Sequence, residues 1–328
     1  MNEIKLGFIG YGRHANNNLY PALKLLGQPI QAIATTSKES SERGMQEQGA
    51  ENAYADYEEM LEKEDLNCVI ISAPGEKHVE LTEAALEAGC HVFVEKPLGL
   101  NADEAEQVMS KAEATGKHVM VGFMKRFAPA FVRMHELIKD QRFGDLVTVN
   151  CVYGVRNFSE SIEDVILFAA IHNINMLQSI TGEPVKLVGF KRALGDSLTA
   201  TFSYQVESGI TASMSIVAAP SWARLHEEFY VTGTNGFIRV NNVEQLSYHF
   251  NPDMSDRPRW QVMDEEETIV TTVSTTSSGG YKDLYQRGFV GELEHFLDCV
   301  RIDAKPLTSA EDNLATMKLS DMIISECK

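Results

Sequence analysis

A lysine that follows a buried strand is the first residue whose position suggests chemistry. The strand candidate at 91–95 runs into the segment V-E-K-P-L, which contains Glu95, Lys96 and Pro97. Ligands of open α/β sheets bind beyond the carboxyl ends of the strands, so a lysine there faces a ligand rather than bulk solvent. Burial and nearby positive charge would lower the pKa of Lys96 towards neutrality and make it a usable proton donor or acceptor. The alternative is a surface salt bridge between Glu95 and Lys96.

A single histidine, His172, interrupts the apolar helical stretch LFAAIHNINML at 167–177. Imidazole exchanges protons near neutral pH, so His172 is a second candidate for acid–base chemistry. Taken alone, a lone histidine on an apolar face is more simply a packed core residue. The rest of the chain has to decide between these two interpretations.

A glycine-rich turn follows the first strand. In the segment G-F-I-G-Y-G-R-H-A, the pattern Gly10-x-Gly12-x-x-Ala15 comes after a strand and opens a helix. This is the context of a dinucleotide-binding turn. Gly10 allows the tight turn, Gly12 lets a pyrophosphate approach the backbone, and Ala15 allows the helix to pack closely on the strand. Free N–H groups and the dipole at the helix start favour the anion. The pattern therefore predicts a nicotinamide dinucleotide site rather than a purely structural turn.

The end of the second strand indicates which dinucleotide is preferred. An acidic residue there would hold both ribose hydroxyls of NAD, but the sequence has Thr35, followed by Thr36, Ser37 and Lys38. Small hydroxyl groups and a cation suit the 2′-phosphate of NADP. The pattern favours NADP over NAD. In the alternative, Lys38 is a solvated residue at a helix start and NAD binds.

Further cofactor contacts are predicted around the same turn. Arg13 is placed to stack on the adenine or to reach the 2′-phosphate, and His14 is either a phosphate neighbour or a surface residue at the helix start. We also assign Ala73, Pro74, His78, Glu95 and Lys96 to the cofactor site. They end the third and fourth strand candidates or begin the helix that follows, and Lys96 would face the nicotinamide end of the cofactor.

The first third of the chain alternates apolar strands with amphipathic helices. The strand candidates are 4–10, 30–36, 67–74, 91–95 and 118–123. Helical patterns at 78–89 and 101–117 lie between them. Near-continuous apolar strands that alternate with helices indicate a parallel sheet covered on both faces. We therefore predict an α/β protein whose residues 1–122 form a doubly wound, dinucleotide-binding Rossmann domain.

The pattern changes after about residue 122. A helix candidate at 129–140 precedes a strand at 146–155 and the helical stretch around His172. Alternating strand candidates then follow at 185–191, 197–206, 210–218, 228–233 and 237–241, with hairpin turns at 207–209 and 235–236. We predict that 123–328 is an α+β substrate-binding domain with a large open, mainly antiparallel sheet.

The last part of the chain is less regular. The segment 251–280 is polar and rich in Ser, Thr and Gly, which indicates a long loop or weak edge strands. Helix candidates at 285–300 and 310–324 close the chain. Whether the C-terminal helix packs back on the first domain stays open.

Charge and composition exclude several classes of function. Of 328 residues, 29 are Lys or Arg and 47 are Asp or Glu, and the formal charge of −18 argues against a nucleic-acid partner. No apolar run approaches the ~20 residues that span a bilayer, and the first residues lack a signal-peptide pattern. We therefore expect no membrane partner and a cytoplasmic location. The five cysteines lie far apart, without metal-ligand spacing, so we expect reduced thiols and no metal site.

Together these motifs resemble the Gfo/Idh/MocA oxidoreductase family. The similarity covers essentially the whole chain and includes Gly10-x-Gly12, Glu95-Lys96-Pro97, GFMKRFAPAF at 122–131, FGDLV at 143–147 and VTGTNGFIRV at 231–240. The resemblance implies NAD(P)-dependent oxidation or reduction of sugars, cyclitols or related polyols. It implies that Lys96 lies in the active site, that Glu95 supports it and that Pro97 follows a cis peptide bond. It also implies a homo-oligomer, a dimer or tetramer, formed through the sheet of the second domain.

The resemblance assigns His172 to the active site as well. The family has an Asp-x-x-x-His pair before a Leu-Gly-Glu-Pro-like turn, and the turn at 181–184 aligns His172 with the family histidine. Two positions depart from the family: Phe168 stands where the aspartate belongs, and Asn175 replaces the usual acidic residue. Positions four apart share a helix face, so Phe168 removes a charge, desolvates its neighbour and favours a neutral His172.

These observations predict hydride transfer between nicotinamide C4 and a carbinol carbon. Lys96 would exchange the hydroxyl proton, while His172 hydrogen-bonds the same oxygen or relays the proton. Further candidate substrate contacts are Arg126, Tyr153, Arg156 and Asn173. In the plain alternatives, Arg126 forms an interdomain ion pair and Tyr153 is a sheet residue with its hydroxyl in water. Two other functions stay open: a cofactor-binding sensor without catalysis, and a lyase or glycosidase that uses transient oxidation.

Overall fold

The computed structural model describes residues 3–253, 258–264, 266–271 and 282–327. The chain divides into two compact units, Met1–Phe127 with Tyr281–Lys318 and Ala128–Gly280 with Leu319–Lys328. The segment 281–318 from the end of the chain thus belongs to the first unit. The domain boundary between residues 122 and 123 stays a prediction. Of the polar segment 251–280, residues 254–257, 265 and 272–280 lie outside the described residues.

Fourteen strands are present in the described part of the chain. In the first unit they are β1 Leu6–Ile9, β2 Ala32–Ala34, β3 Asn52–Tyr54, β4 Cys68–Ile71, β5 His91–Glu95 and β6 Val119–Gly122. In the second unit they are β7 Leu146–Val155, β8 Pro184–Leu194, β9 Ser197–Val206, β10 Thr211–Ala218, β11 His226–Gly233, β12 Gly236–Asn241, β13 Gln245–Phe250 and β14 Thr268–Thr271.

The α-helices alternate with the strands in the first part of the chain and close its end. They are α1 Tyr20–Leu25, α2 Lys38–Gln48, α3 Tyr57–Lys63, α4 His78–Glu87, α5 Ala102–Thr115, α6 Pro129–Ile138, α7 Ile162–Val165, α8 Ile171–Thr181, α9 Lys282–Gln286, α10 Phe289–Ile302 and α11 Ala310–Glu326. Two π-helical turns, Ala15–Leu19 and Ile166–Ala170, lead into α1 and α8. Over the described residues, none of the helices has both the length and the apolar character needed to cross a membrane.

The six strands of the first unit form a parallel sheet in the order β3-β2-β1-β4-β5-β6. Strands β1, β2, β4, β5 and β6 are buried along their whole length, as the apolar runs in the sequence predict. The chain leaves β1 towards β2 on one side, and β4 lies on the other side. This reversal of strand order opens a crevice beyond the carboxyl ends of β1 and β4, which is where such sheets bind ligands.

The eight strands of the second unit form one sheet in the order β14-β13-β12-β11-β7-β10-β9-β8. Among the described strands of this second sheet, β7 and β10 are the one parallel pair, so the prediction of a mainly antiparallel sheet is confirmed. The predicted turns at 207–209 and 235–236 join β9 to β10 and β11 to β12 as hairpins. Strand β14 lies at the edge of the sheet, where the sequence predicted weak edge strands.

The two faces of this sheet differ in polarity. Alternate residues of β9, β10 and β11 are buried, and their side chains form a core that includes Phe202, Ile216 and Phe229. Helices α6 and α8 pack against strands of this sheet. Along β9 and β10 the other face carries mainly Ser and Thr, and on the edge strand β8 it exposes Val188 and Phe190.

The helical stretch around His172 differs from the regular helix that the sequence predicts. It consists of the short helix α7, the π-helical turn Ile166–Ala170 and α8. A π turn holds one more residue than an α turn and often marks a functional site. The residues before and after this turn therefore do not follow the regular 3.6-residue spacing on which the pairing of Phe168 with His172 was based.

Candidate active site

The turn after β1 requires glycine at position 10. Gly10 has a φ of +113°, and a Cβ atom there would lie 2.1 Å from the carbonyl oxygen of Ser72, which follows β4. Its N–H donates to Ala34 O at 2.9 Å, and its carbonyl accepts from the Tyr20 hydroxyl at 2.8 Å. These contacts hold the turn between the ends of β2 and β4.

The next glycine leaves open space instead. A Cβ atom on Gly12 would meet nothing within 4 Å. The following residues are helical, and Ala15 is fully buried, as expected for close packing of the helix on the strand. The first turn therefore presents N–H groups without a Cβ in front of them at Gly12, which fits the approach of a phosphate group.

A cavity of about 750 Å³ lies beside this turn, a volume in the range of small-molecule sites. Eight of the predicted cofactor residues line it, namely Gly10, Gly12, Arg13, His14, Thr35, Thr36, Ala73 and Pro74. The part of its wall that the described residues form also includes Ser40, Asp56, Tyr57, Lys77 and Glu80, which the sequence analysis missed. Most of these follow β3 and β4, and β3 was not recognised as a strand.

Two predicted cofactor residues lie away from this wall, at the start of α2. Ser37 caps the helix by accepting from Ser40 N at 3.3 Å, and its carbonyl accepts from the Thr35 hydroxyl at 2.9 Å. The Lys38 side chain is 82% exposed, with Nζ 3.7 Å from Glu42 Oε1. Lys38 thus occupies the position of a solvated helix-start residue, the alternative that the sequence left open.

His78 is buried rather than facing the cavity. It is 1% exposed, with Nδ1 2.8 Å from Pro97 O and Nε2 2.9 Å from Ala73 O. Burial lowers the pKa of His78, against the two carbonyls and Glu95, which favour the charged ring. The ring links the loop after β4 to the segment after β5, so its position suits loop support better than cofactor contact.

Glu95 ends β5 as a buried carboxylate. Its Oε1 lies 2.7 Å from His14 Nε2, and Asn18 Nδ2 lies 3.3 Å from His14 Nδ1. The amide of Asn18 is oriented by Arg287, which donates to its Oδ1 at 3.2 Å. Because Asn18 donates to Nδ1, a neutral His14 carries its proton on Nε2 and donates it to Glu95. Glu95 and Lys96, which the resemblance joins, are thereby tied to the helix after β1.

Lys96 follows at a cis peptide bond to Pro97, as the resemblance implied. Its side chain is partly exposed. Burial lowers the pKa of Lys96, and the charge of Lys125 adds to this effect, whereas Glu95 opposes it. The direction agrees with the expectation from the sequence and brings the neutral amine closer to physiological pH.

Arg126 forms an ion pair within the first unit. It lies in the 3₁₀ turn Met124–Phe127, is buried, and donates from Nη1 to Asp312 Oδ1 at 3.1 Å. The structure therefore shows an ion pair at this residue, although both partners belong to one compact unit. A substrate contact of Arg126 stays a prediction.

The second unit gathers three of the other predicted residues. His172 and Asn173 begin α8, and Tyr153 lies on the buried face of β7. Asn173 is fully buried and donates to Glu227 Oε2 at 3.0 Å. Glu227 lies opposite Tyr153 in the register of β7 and β11, and burial followed by the Glu227 charge raises the pKa of Tyr153. Tyr153 is thus 4% exposed and lies beside Glu227.

Arg156 and Phe168 are both exposed. Arg156 lies in the loop after β7, and Phe168, in the π-helical turn, is 39% exposed. Glu227 was missed because the predicted strand began at residue 228, and the adjacent glutamates 227 and 228 look like solvent-facing residues before a strand. The signal that was present is its place in the alternation of the strand, since Glu227 lies on the same, buried face as Phe229 and Val231.

His91, His118 and Asp303 form a cluster with possible metal-ligand atoms within 4.8 Å of one another. The main-chain N–H of His118 donates to His91 Nδ1 at 3.1 Å. A neutral His91 therefore carries its proton on Nε2, the atom that lies 3.9 Å from Asp303. This nitrogen has no free lone pair for a metal, so the cluster is better described as a hydrogen-bonded group at the end of α10.

The comparisons with known proteins identify the family. Residues 4–123 match the model of the Gfo/Idh/MocA oxidoreductases, described as an oxidoreductase family with an NAD-binding Rossmann fold. Residues 4–123 therefore belong to this family. Curated dehydrogenases are similar to this chain over nearly its whole length. D-xylose 1-dehydrogenase (NADP(+)) 2 of Haloferax volcanii is 26% identical, with 98% of this chain and 96% of that protein covered.

Two further comparisons agree. Myo-inositol 2-dehydrogenase of Thermotoga maritima is 23% identical, with 96% of this chain and 94% of that protein covered. The crystal structure of a dehydrogenase from Chromobacterium violaceum superposes with a TM-score of 0.87 at 21% identity, covering 100% of this chain and 96% of that one. The fold predicted from the sequence, a Rossmann domain followed by a large mainly antiparallel sheet, is confirmed.

Substitutions at the two glycines separate the fold of the turn from its function. We expect Gly12→Ala to leave thermal stability nearly unchanged, because its Cβ meets nothing within 4 Å, but to weaken NAD(P) binding by about tenfold or more. We expect Gly10→Ala to lower the free energy of unfolding by about 2 kcal/mol or more, because the new Cβ would overlap the Ser72 carbonyl oxygen and because alanine is strained at a positive φ. Thermal unfolding and fluorescence titration measure both effects. An unchanged cofactor affinity in Gly12→Ala would contradict this assignment of the turn.

Proposed function

We propose that this chain is an NAD(P)-dependent dehydrogenase or reductase that acts on a carbinol carbon of a sugar, cyclitol or related polyol. The observation that carries the proposal is Lys96, a lysine with a lowered pKa at the end of β5, in the same compact unit as the dinucleotide turn. The whole-chain similarity to a xylose dehydrogenase and an inositol dehydrogenase supports the substrate class.

The cradle at Gly12 and the adjoining cavity fit a dinucleotide. When bound, the nicotinamide ring supplies the hydride acceptor or donor. Gly10, Gly12, Arg13, Thr35 and Thr36 would hold the pyrophosphate and the adenosine ribose. Lys96 would take the proton from the substrate hydroxyl in oxidation and return it in reduction. His172 would hydrogen-bond the same oxygen or relay the proton. Substrate contacts of Arg126, Tyr153, Arg156 and Asn173 stay predictions, and the burial of Asn173 against Glu227 suits support of the site better than direct contact.

We infer that NADP is preferred, because the end of β2 offers Thr35 and Thr36 to the cavity and no carboxylate. A homo-oligomer formed through the sheet of the second unit, and a cytoplasmic location, also stay proposals. The exposed apolar residues on β8, including Phe190 at 74% exposure, support an interface on that sheet.

The first experiment titrates the protein with NADP and NAD and then follows nicotinamide absorbance with a panel of polyols and keto-sugars. We expect turnover with at least one panel member, and Lys96→Met to lower kcat by about 10²- to 10⁴-fold with little change in cofactor affinity. Lys139→Met, an exposed lysine on the second unit, is the matched control. Cofactor binding without turnover would favour the sensor. Product without a net absorbance change would favour a lyase or glycosidase.

The pH dependence of the reaction should follow the protonation state of Lys96. Oxidation needs the neutral amine, so its kcat/KM should rise as pH increases through the pKa of Lys96. Reduction needs the ammonium form, so its kcat/KM should fall over the same range. Because burial and Lys125 lower this pKa, both limbs should lie below the range of a free lysine. Lys96→Met should lack both limbs, and their persistence in that variant would exclude Lys96 as the titrating group.

A carboxylate at the end of β2 should change cofactor preference. We expect Thr35→Asp to lower the ratio of NADP to NAD affinity by about tenfold or more, because its charge repels a 2′-phosphate and accepts ribose hydroxyls. Lys38→Ala is the comparison, and we expect it to have little effect, since Lys38 is exposed and lies beside Glu42. If Lys38→Ala instead lowers the ratio and Thr35→Asp does not, the 2′-phosphate is held by Lys38.

A further inference from the structure

A second buried carboxyl group lies beside Glu95. Glu292 is in the first turn of α10, is 0% exposed, and neither of its oxygens has a hydrogen-bond partner among the described residues. The side chains one turn to either side of Glu292 place this face of α10 over the end of β5. Phe289 contacts the His14 ring edge-on, and Phe296 contacts Phe93, two residues before Glu95 in β5, with ring centroids 5.8 Å apart. Nothing in the proposed reaction uses this acid so far.

The two carboxyl groups differ in their surroundings. Burial raises the pKa of Glu95, but the hydrogen bond from His14 and the charges of His14, Lys96 and His78 together lower it below its usual range. Burial raises the pKa of Glu292 well above its usual range, and the negative charge of Glu95 raises it further. Two neighbouring buried carboxyl groups do not both ionise, so the proton of the pair resides on Glu292.

The geometry around Glu95 fixes where that proton can be donated. His14 is hydrogen-bonded to Glu95 Oε1. Strand β6 lies against the carboxylate, since a Cβ on Gly122 would lie 3.2 Å from Oε2. The carboxylate therefore cannot retreat towards β6. A buried O–H without an acceptor is costly, and an ionised carboxylate is the strongest acceptor available to it.

We propose that Glu292 is a positioning residue for the Lys96 site: as a neutral carboxylic acid it donates its O–H to the Glu95 carboxylate and keeps that carboxylate ionised beside Lys96. The groups that face Glu95 are then His14 from the helix after β1, His78 from α4, Lys96 on its own strand and Glu292 from α10. The consequence for Lys96 rests on the proposed function, whereas the protonation states of Glu292 and Glu95 can be measured without it.

The first test is spectroscopic and needs no cofactor. Infrared difference spectra of the wild-type protein and Glu292→Gln, recorded at neutral pH, should show a protonated carboxyl C=O band that is absent from the variant. Glu294→Gln, an exposed neighbour on the same helix, should retain the band. Absence of any protonated carboxyl band that depends on Glu292 overturns the proposal, whether or not the protein turns over a substrate. If Glu292→Gln does not fold, Glu292→Leu replaces it in the same comparison.

The second test follows the pH at which Glu95 protonates, read from the infrared carboxylate band that Glu95→Gln removes. Glu292→Gln keeps an N–H donor for Glu95, so this pH should stay in place. Glu292→Leu removes the donor, so Glu95 should protonate at a pH higher by about one to two units. A purely structural role would leave the protonation of Glu95 unchanged in both variants. The same protonation pH in both variants, or a shift in Glu292→Gln as large as in Glu292→Leu, contradicts the proposal. Catalysis that is absent while the infrared band is present would overturn the proposed function alone.

Discussion

The charge of Glu95 is the constraint around which the first unit is arranged. A carboxylate buried at the end of a central parallel strand needs donors and cations around it, because desolvation otherwise neutralises it. The helix after β1 supplies His14, α4 supplies His78, and the next residue is Lys96. The same contacts bring together the ends of β1, β4 and β5. The arrangement that stabilises one buried charge therefore also aligns the dinucleotide turn with the candidate proton-transfer residue.

The architecture could be predicted from the sequence because each central strand is apolar along its whole length and each helix is amphipathic. The strands that were missed lack this signal. Strand β3 has three residues, of which Asn52 is exposed, and β13 carries Ser and His within its apolar pattern. Both are recognisable only from the partner strand that completes their hydrogen bonds. Such strands depend on tertiary contacts rather than on their own composition.

The residues of the candidate site likewise fall into those that the sequence reveals and those that it does not. Gly10, Gly12 and Lys96 could be found because their function requires a particular residue type at a particular point of a strand-to-helix turn. Lys38 could not be placed, because a flexible cation near a turn is equally suited to a phosphate and to the next turn of its own helix. Glu227 and Glu292 were missed for another reason. A buried carboxyl group is recognised only from residues far away in the sequence: Glu227 accepts a hydrogen bond from Asn173, and the charge of Glu95 acts on Glu292.

The acidic composition of the chain is compatible with an anionic cofactor because exposed charges act only over short distances. Interactions between exposed charges are screened beyond roughly 8 Å at physiological ionic strength, so the formal charge of −18 acts weakly at any one point. What a phosphate group encounters is the wall beside Gly12, where helix N–H groups are accompanied by Arg13, His14 and Lys77. Net charge argues against partners that bind over a broad surface, such as nucleic acid, but not against a ligand that is held in a small cavity. Glu95 is a similar case, because its negative charge is compensated by the groups next to it and is therefore almost independent of the acidic surface.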